Sequence, residues 1–319
     1  MKKNLFWAIC LVMMSMNANA ISINKALLQH KGEVTLFDGD DMQSAIDAAF
    51  DGDTIYMTLG AFNTDFTINK EITIRGVGEK TVVNGNVTVD IPNNPKLTST
   101  LMEAVRVIGT LDVKSAVDDM VIRKCMIDNV TFSANVSGVV IDRCYITTNL
   151  TLSKFINGLT VNNSKIYMVS SNEGINNQNT FVNCNIHFLN GTNFTGTIIN
   201  SMIDRDYNNG SSNIGSSVLI NTLINKAHLS VNTTSVAIDC YYCFYERNSY
   251  LIVNDCTSAL TDEALISNGY LGTDGKVVGI YGGDTPFTLE SSVPTVTSSE
   301  LNLDLEERKL NVKLTVSPK

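Results

Sequence analysis

A short unit recurs through the middle of the 319-residue chain. It reads as an apolar pair, a turn-forming or basic residue, then a small Cys, Ser or Thr, usually with an apolar residue two places on. VIRKCMI, VIDRCYI, TVNNSKI, FVNCNI, IINSMI, LINTLI, AIDCYY and VNDCT succeed one another, with the small residue at Cys125, Cys144, Ser164, Cys184, Ser201, Thr222, Cys240 and Cys256. The intervals are 19, 20, 20, 17, 21, 18 and 16 residues. A period this short is no domain; it is one supersecondary unit of a stacked array.

Within each unit the apolar residues alternate. Val130 and Phe132, then Val139 and Ile141, then Cys144 and Ile146 make three short period-2 runs. The next unit repeats them at Leu150 and Leu152, Leu159 and Val161, Ser164 and Ile166. Three strands per unit describe one coil of a three-sided solenoid. No coil is stable alone: roughly 1.5–3 kcal/mol for each of about six buried side chains does not offset roughly 1–2 kcal/mol of backbone entropy for each of about nineteen residues. Stacking must supply the rest. Asn163, Asn183, Asn200, Asn221, Asp239 and Asp255 occupy the bend between second and third strands, where Asn tolerates a left-handed backbone, and are predicted to stack as a ladder. No proline falls between Pro95 and Pro286, where one would delete a ladder donor. A leucine-rich-repeat solenoid fits Ile156, Leu159, Val161, Ser164 and Ile166, but it has one strand per repeat and its spacing fails from Val182 onward.

The ends differ from the middle. Met42, Ala45, Ile46, Ala49 and Phe50 form the stripe of an amphipathic helix, with Asp40 or Asp41 to cap its start and Gly52 to end it. Such a helix closes the open end of a solenoid. At the other end, Leu301, Leu303 and Leu305 alternate, as do Leu310, Val312, Leu314 and Val316, which predicts a hairpin that caps, packs on a flank or docks on a partner. Ala45-Ile46-Asp47-Ala48-Ala49, Gly52-Asp53-Thr54-Ile55, Gly60-Ala61-Phe62 and Ile72-Thr73-Ile74-Arg75-Gly76 resemble the cap and first coils of pectin-lyase-like right-handed parallel β-helices, and the Asn/Cys ladder that follows is similar to theirs, the resemblance covering residues 34–256. The tail, with TDGKVVGIYGGDTPF, is similar to that of bacterial secreted β-helix proteins. The expected fold is therefore all-β: a right-handed parallel β-helix of about ten coils with an N-terminal capping helix and a C-terminal hairpin. The expected boundaries are 1–20, 21–53 for the cap, 54–257 for the helix and 258–319 for the tail.

The first twenty residues read as a signal peptide: Lys2 and Lys3, an apolar run from Leu5 to Met14, and an Ala18-Asn19-Ala20 cleavage site. Export to the periplasm, outer surface or medium follows, and no later segment is long and apolar enough to span a membrane. Losing Lys2 and Lys3 takes the formal charge from −9 to −11. That balance argues against nucleic acid and anionic membranes as partners.

Resemblance to this superfamily implies a search for enzyme chemistry. Its lyases hold calcium on clustered carboxylates and use Arg or Lys as base; its hydrolases oppose two acids. The predicted outward positions carry Thr131, Thr151, Val140 and Thr160, and on the third strand Met126, Tyr145, Lys165, Asn185, Met202, Leu223 and Tyr241, with no stacked carboxylates. Asp204, Arg205 and Asp206 are the remaining catalytic candidates, in a Gly- and Asn-rich loop. His30, His187 and His228 lack the His-Gly-x-Gly context of the hydrolases. Cys125, Cys144, Cys184, Cys240 and Cys256 read as small buried fillers, and Cys240-x-x-Cys243 has neither redox nor zinc context. No metal site and no cofactor is expected, calcium entering only with a lyase. Tyr145, Lys165, Asn185, Tyr241, Tyr242 and Tyr245 form a candidate glycan- or partner-binding stripe, which the hairpin, another subunit or a sugar chain would cover. Three functions fit: a non-catalytic adhesin-like or glycan-binding surface protein, a polysaccharide lyase or glycoside hydrolase, and a subunit assembling through its hairpin. The enzyme rests on fold analogy alone.

Overall fold

The computed structural model describes residues 24–93, 100–171, 179–191, 196–204, 212–214, 217–225, 229–231, 236–238, 241–243, 254–256, most of 267–287, 295–304 and 309–317. The chain divides into two units, Met1–Phe287 and Thr288–Lys319. The first is a right-handed parallel β-solenoid, held by stacking as the repeat predicts.

Its core is a set of vertical files. Ile55, Ile74, Met102, Ile122, Ile141, Val161, Phe181, Ile198 and Leu219 pair in parallel register from coil to coil and are all buried. A second file runs through Phe66, Val87, Leu111, Val130, Leu150, Val169 and Leu189, and a third through Val107, Ile127, Ile146, Ile166, Ile186 and Ile203. Apart from Met102, each residue is β-branched, aromatic or Leu, and each alternates with less buried neighbours, so one face of every strand turns to the axis. Val117, Val136 and Ile156 add a short sheet at the remaining corner.

The bend before the third strand uses one left-handed residue per coil. Asn163, Asn183, Asn200 and Asn221 have φ of 47°, 51°, 46° and 49°. The following small residue repairs the corner. Ser164 Oγ accepts the Cys144 N–H at 3.0 Å and donates to Asn162 O at 2.7 Å; Ser201 Oγ does the same for Cys184 N–H (3.0 Å) and Ile199 O (2.7 Å). The corner N–H thus finds a side-chain acceptor where the ladder is broken. Lys165 N–H donates to Cys144 O and Asn185 N–H to Ser164 O, so the small residues are vertical neighbours. Asp239 and Cys240 lie outside the described residues. At the last coil the predicted register is wrong: Cys256 pairs with Cys243, and Asp255 pairs with Tyr242 inside a strand instead of turning a corner. The interval of 16 residues from Cys240 to Cys256 mimicked the repeat.

Three devices close the N-terminal end. Lys25–His30 pairs antiparallel with Thr54–Met57 and with Glu33–Asp38. Asn24 Nδ2 donates to Ala61 O at 2.7 Å over the next strand. Gln43, on helix α1 (Met42–Ala48), accepts Thr67 N–H at 2.8 Å and so stands in for a missing strand. Met42, Ala45, Ile46 and Ala49 are buried as predicted. The expected Asp cap is absent: Asp40 accepts from Asn24 and Asn63, Asp41 from the Ser44 hydroxyl, and neither bonds a helix N–H. Phe50 leaves the stripe, because the backbone is already extended at Ala49; it is 62% exposed and lies against His30. The Lys70 ammonium caps the helix C-terminus, bonding Asp47 O and Ala49 O at 2.6 Å each.

The second unit is the predicted hairpin. Thr295–Asp304 pairs antiparallel with Lys309–Ser317, with Leu301 opposite Val312 and Leu303 opposite Leu310.

Candidate functional site

Along the third strands, the residues between the buried isoleucines form an outward column. Arg106, Met126, Tyr145, Lys165, Asn185 and Met202 are register partners in succession. The sequence-predicted Tyr145, Lys165 and Asn185 therefore meet on consecutive coils. Lys165 Nζ lies 5.1 Å from the Tyr145 ring centroid, a cation–π contact. Two residues along, Tyr167 stacks on His187 with centroids 5.1 Å apart, and Tyr167 is 46% exposed. Its signal in the sequence was the alternation Lys165-Ile166-Tyr167, which puts it on the same face.

At the adjoining corner the upper coils hold Lys124 and Arg143 where the lower coils hold Asn. Their φ values, 53° and 52°, are left-handed. A branched or long side chain pays about 1–2 kcal/mol for that conformation, which Asn largely avoids. Arg123 and Arg75 flank Glu103 in the neighbouring column, in register with it. Arg75, Arg106, Arg123, Lys124, Arg143 and Lys165 thus share one flank with three carboxylates, Glu103, Asp128 and Asp142. Six cations against three anions make this flank positive on a chain of net charge −9. Among the described residues no ion pair engages Arg106, Lys124, Arg143 or Lys165, and the buried Arg143 Nε has no hydrogen-bond partner.

Glu103 is nearly buried. Burial pushes its carboxyl up, but the Arg123 hydrogen bond (2.9 Å) and the charges of Arg75, Arg123 and Lys124 outweigh that and hold it below the usual carboxylate range. Arg75 approaches the other oxygen to 2.8 Å without hydrogen-bond alignment. A carboxylate so pinned is a poor proton carrier. Asp53, the other buried acid, accepts His30 Nδ1 at 2.9 Å and Phe50 N–H at 2.8 Å, which ties the terminal strands to the first coil. The paired acids at the other corner are structural too: Asp118 accepts the Ser137 hydroxyl and Asp119 turns left-handed. No group of three or more His, Cys, Asp or Glu suited to a metal occurs among the described residues.

Of the catalytic candidates Asp204, Arg205 and Asp206, only Asp204 is among the described residues. Asp204 ends the strand Met202–Asp204, at the register position beside His187; Arg205 and Asp206 lie outside the described residues. Tyr241 and Tyr242 are the backbone register partners of Leu223 and Ile224. Tyr245 lies outside the described residues. The cysteines are fillers: Cys125, Cys144 and Cys184 are buried and unbridged, and burial pushes the Cys144 thiol well up and the Cys184 thiol up to about 12.

The lower end of the apolar stripe is covered by the segment around Tyr270–Phe287. Leu223 is 2% exposed beneath Val278, with Met202, Tyr270 and Val277 packed around them. Gly279 N–H donates to Asn221 O, and Asn183 Nδ2 donates to Gly282 O at 2.9 Å. This strap seals the Asn corner; its glycines permit contact that side chains would block. From Arg106 to Asn185 the column residues are half-buried.

No family model, no curated protein and no solved structure matches the chain.

Proposed function

We propose that this protein is an exported, non-catalytic glycan-binding solenoid of the pectin-lyase-like superfamily, adhesin-like in using its flank as the binding surface. The reading rests on one observation: Lys124 and Arg143 hold strained left-handed backbone at the corner beside Tyr145 and Lys165, where Asn serves the coils below. With Ala104 (φ 56°) directly after Glu103, three successive coils carry this strain on residues other than Asn, and strain of that kind collects at functional sites. Four cations without ion partners among the described residues favour a chain bearing acidic groups, and the Tyr145 and Tyr167 rings offer stacking surface to its sugars. A pinned Glu103 and the absence of an assembled acid–base pair among the described residues support binding without turnover.

Residues 21–319, incubated with acidic and neutral polysaccharides with and without calcium, test this. Expected is calorimetric binding of an acidic polymer that weakens steeply with salt, is lost in Lys124→Glu/Arg143→Glu, and releases no unsaturated or reducing ends. New chain ends would make the protein a lyase or hydrolase; absence of binding to every acidic polymer would remove the glycan reading.

A further inference from the structure

A second face carries a different chemistry. Beyond the bend in the third strand, five successive coils repeat the order outward polar, inward apolar, outward polar: Asp65-Phe66-Thr67, Asn86-Val87-Thr88, Thr110-Leu111-Asp112, Asn129-Val130-Thr131 and Asn149-Leu150-Thr151; the next two put Met168 and Phe188 at the first place. The central residues are all buried, so their neighbours point out in two parallel columns. Column separation is about 6.6 Å and coil spacing about 4.8 Å, twice the strand rise and one strand spacing. Toward the N-terminal end the columns sink into a trough of about 420 Å³, walled by Gln43 of the capping helix on one side and Lys114 on the other. That volume lies within the range of small-ligand sites.

The trough suits one kind of ligand. Asp65 Oδ1 is occupied by Asn86 N–H (2.6 Å), and Asp112 Oδ1 by the Thr131 and Ser133 hydroxyls (2.9 Å each). Lys114 Nζ stands 3.9 Å from the second Asp112 oxygen. Two carboxylates against one ammonium repel anions, and both acids already spend an oxygen on the protein's own hydrogen bonds. Phe66 is buried, so no ring is offered for stacking. The Thr67, Thr88 and Thr110 hydroxyls line the trough with no protein partner among the described residues. From this arrangement we infer that the trough binds an uncharged, hydroxyl-rich ligand, an extended neutral saccharide laid along the solenoid axis. It is separate from the basic flank and does not depend on it.

Calorimetry of residues 21–319 with cello-, xylo- and mannohexaose tests the inference. Expected is binding of at least one, with the Kd held within about twofold when salt rises tenfold, as an uncharged contact requires. Thr88→Val, with Thr67→Val as a second variant, weakens it about tenfold, the worth of one well-made hydrogen bond, while the melting temperature is unchanged. Lys124→Glu/Arg143→Glu binds as the parent does. Failure of all three oligosaccharides to bind overturns the inference, as does binding that survives both threonine variants. Binding abolished by the Lys124/Arg143 variant would instead move the ligand to the basic flank.

Discussion

Asn183 does two things in one residue: it takes φ of 51° and gives its amide to Gly282 O of the strap. Asn183→Ala forfeits both and is expected to destabilise by about 1–3 kcal/mol; Asn183→Gly keeps the backbone and loses only the hydrogen bond, so it should cost less. Urea midpoints of the two variants check the order. The Asn corner was legible in the sequence because few residues accept a left-handed backbone and Asn recurs at the right interval. Lys124 and Arg143 were legible only by position: the repeat puts a basic residue at that place, but neither side chain signals a left-handed conformation. The buried thiols carry a further expectation. With Cys240, Cys243 and Cys256 replaced by serine, a thiol reagent at neutral pH should leave Cys125, Cys144 and Cys184 unmodified until denaturant is added. Fast labelling of the folded protein would contradict the burial of Cys144 and the thiol of Cys184 pushed up to about 12.

At the scale of elements, the strap shows how irregular chain seals a regular one. A methyl group at Gly283 would fall 2.4 Å from the Asn200 amide nitrogen, and Gly283 itself has φ of 75°. Gly283→Ala is therefore expected to loosen the strap, uncover Leu223 and cost about 1–3 kcal/mol. Increased binding of a hydrophobic dye and faster hydrogen exchange at Gly279 N–H would register it. Strands and capping helix were readable because their periods of 2 and 3.6 residues are forced by burial of one face. The strap has no period; glycines against a file of Asn side chains leave no mark in a local pattern. The same limit explains the slip at Cys256, where one-dimensional spacing matched the repeat while the ladder paired Cys243 instead.

For the whole molecule, charge is sorted by place. The negative net charge argued against nucleic acid and anionic membranes, yet six cations gather on one flank. Composition averages over surfaces that stacking keeps apart, and the two faces became visible only once register fixed which residues are vertical neighbours. Glu103 ties that flank to stability. Its folded-state pKa is depressed, so between that value and the unfolded one (about 4.3) the unfolded chain binds more protons and stability falls with falling pH. The parent should lose stability through and below that range more steeply than Glu103→Gln, as urea midpoints at about pH 6 and about pH 3 would register. Every one of these expectations presumes coils in vertical contact, and spin labels measure that directly. Thr131 and Thr151 are twenty residues apart in sequence but follow Val130 and Leu150, which are register partners; Thr131 and Val140 are nine apart but lie on strands that do not pair with each other. In the background lacking Cys240, Cys243 and Cys256, nitroxides at Thr131→Cys and Thr151→Cys should give a strongly exchange-broadened spectrum, and nitroxides at Thr131→Cys and Val140→Cys a much weaker effect. The reverse order would contradict the solenoid.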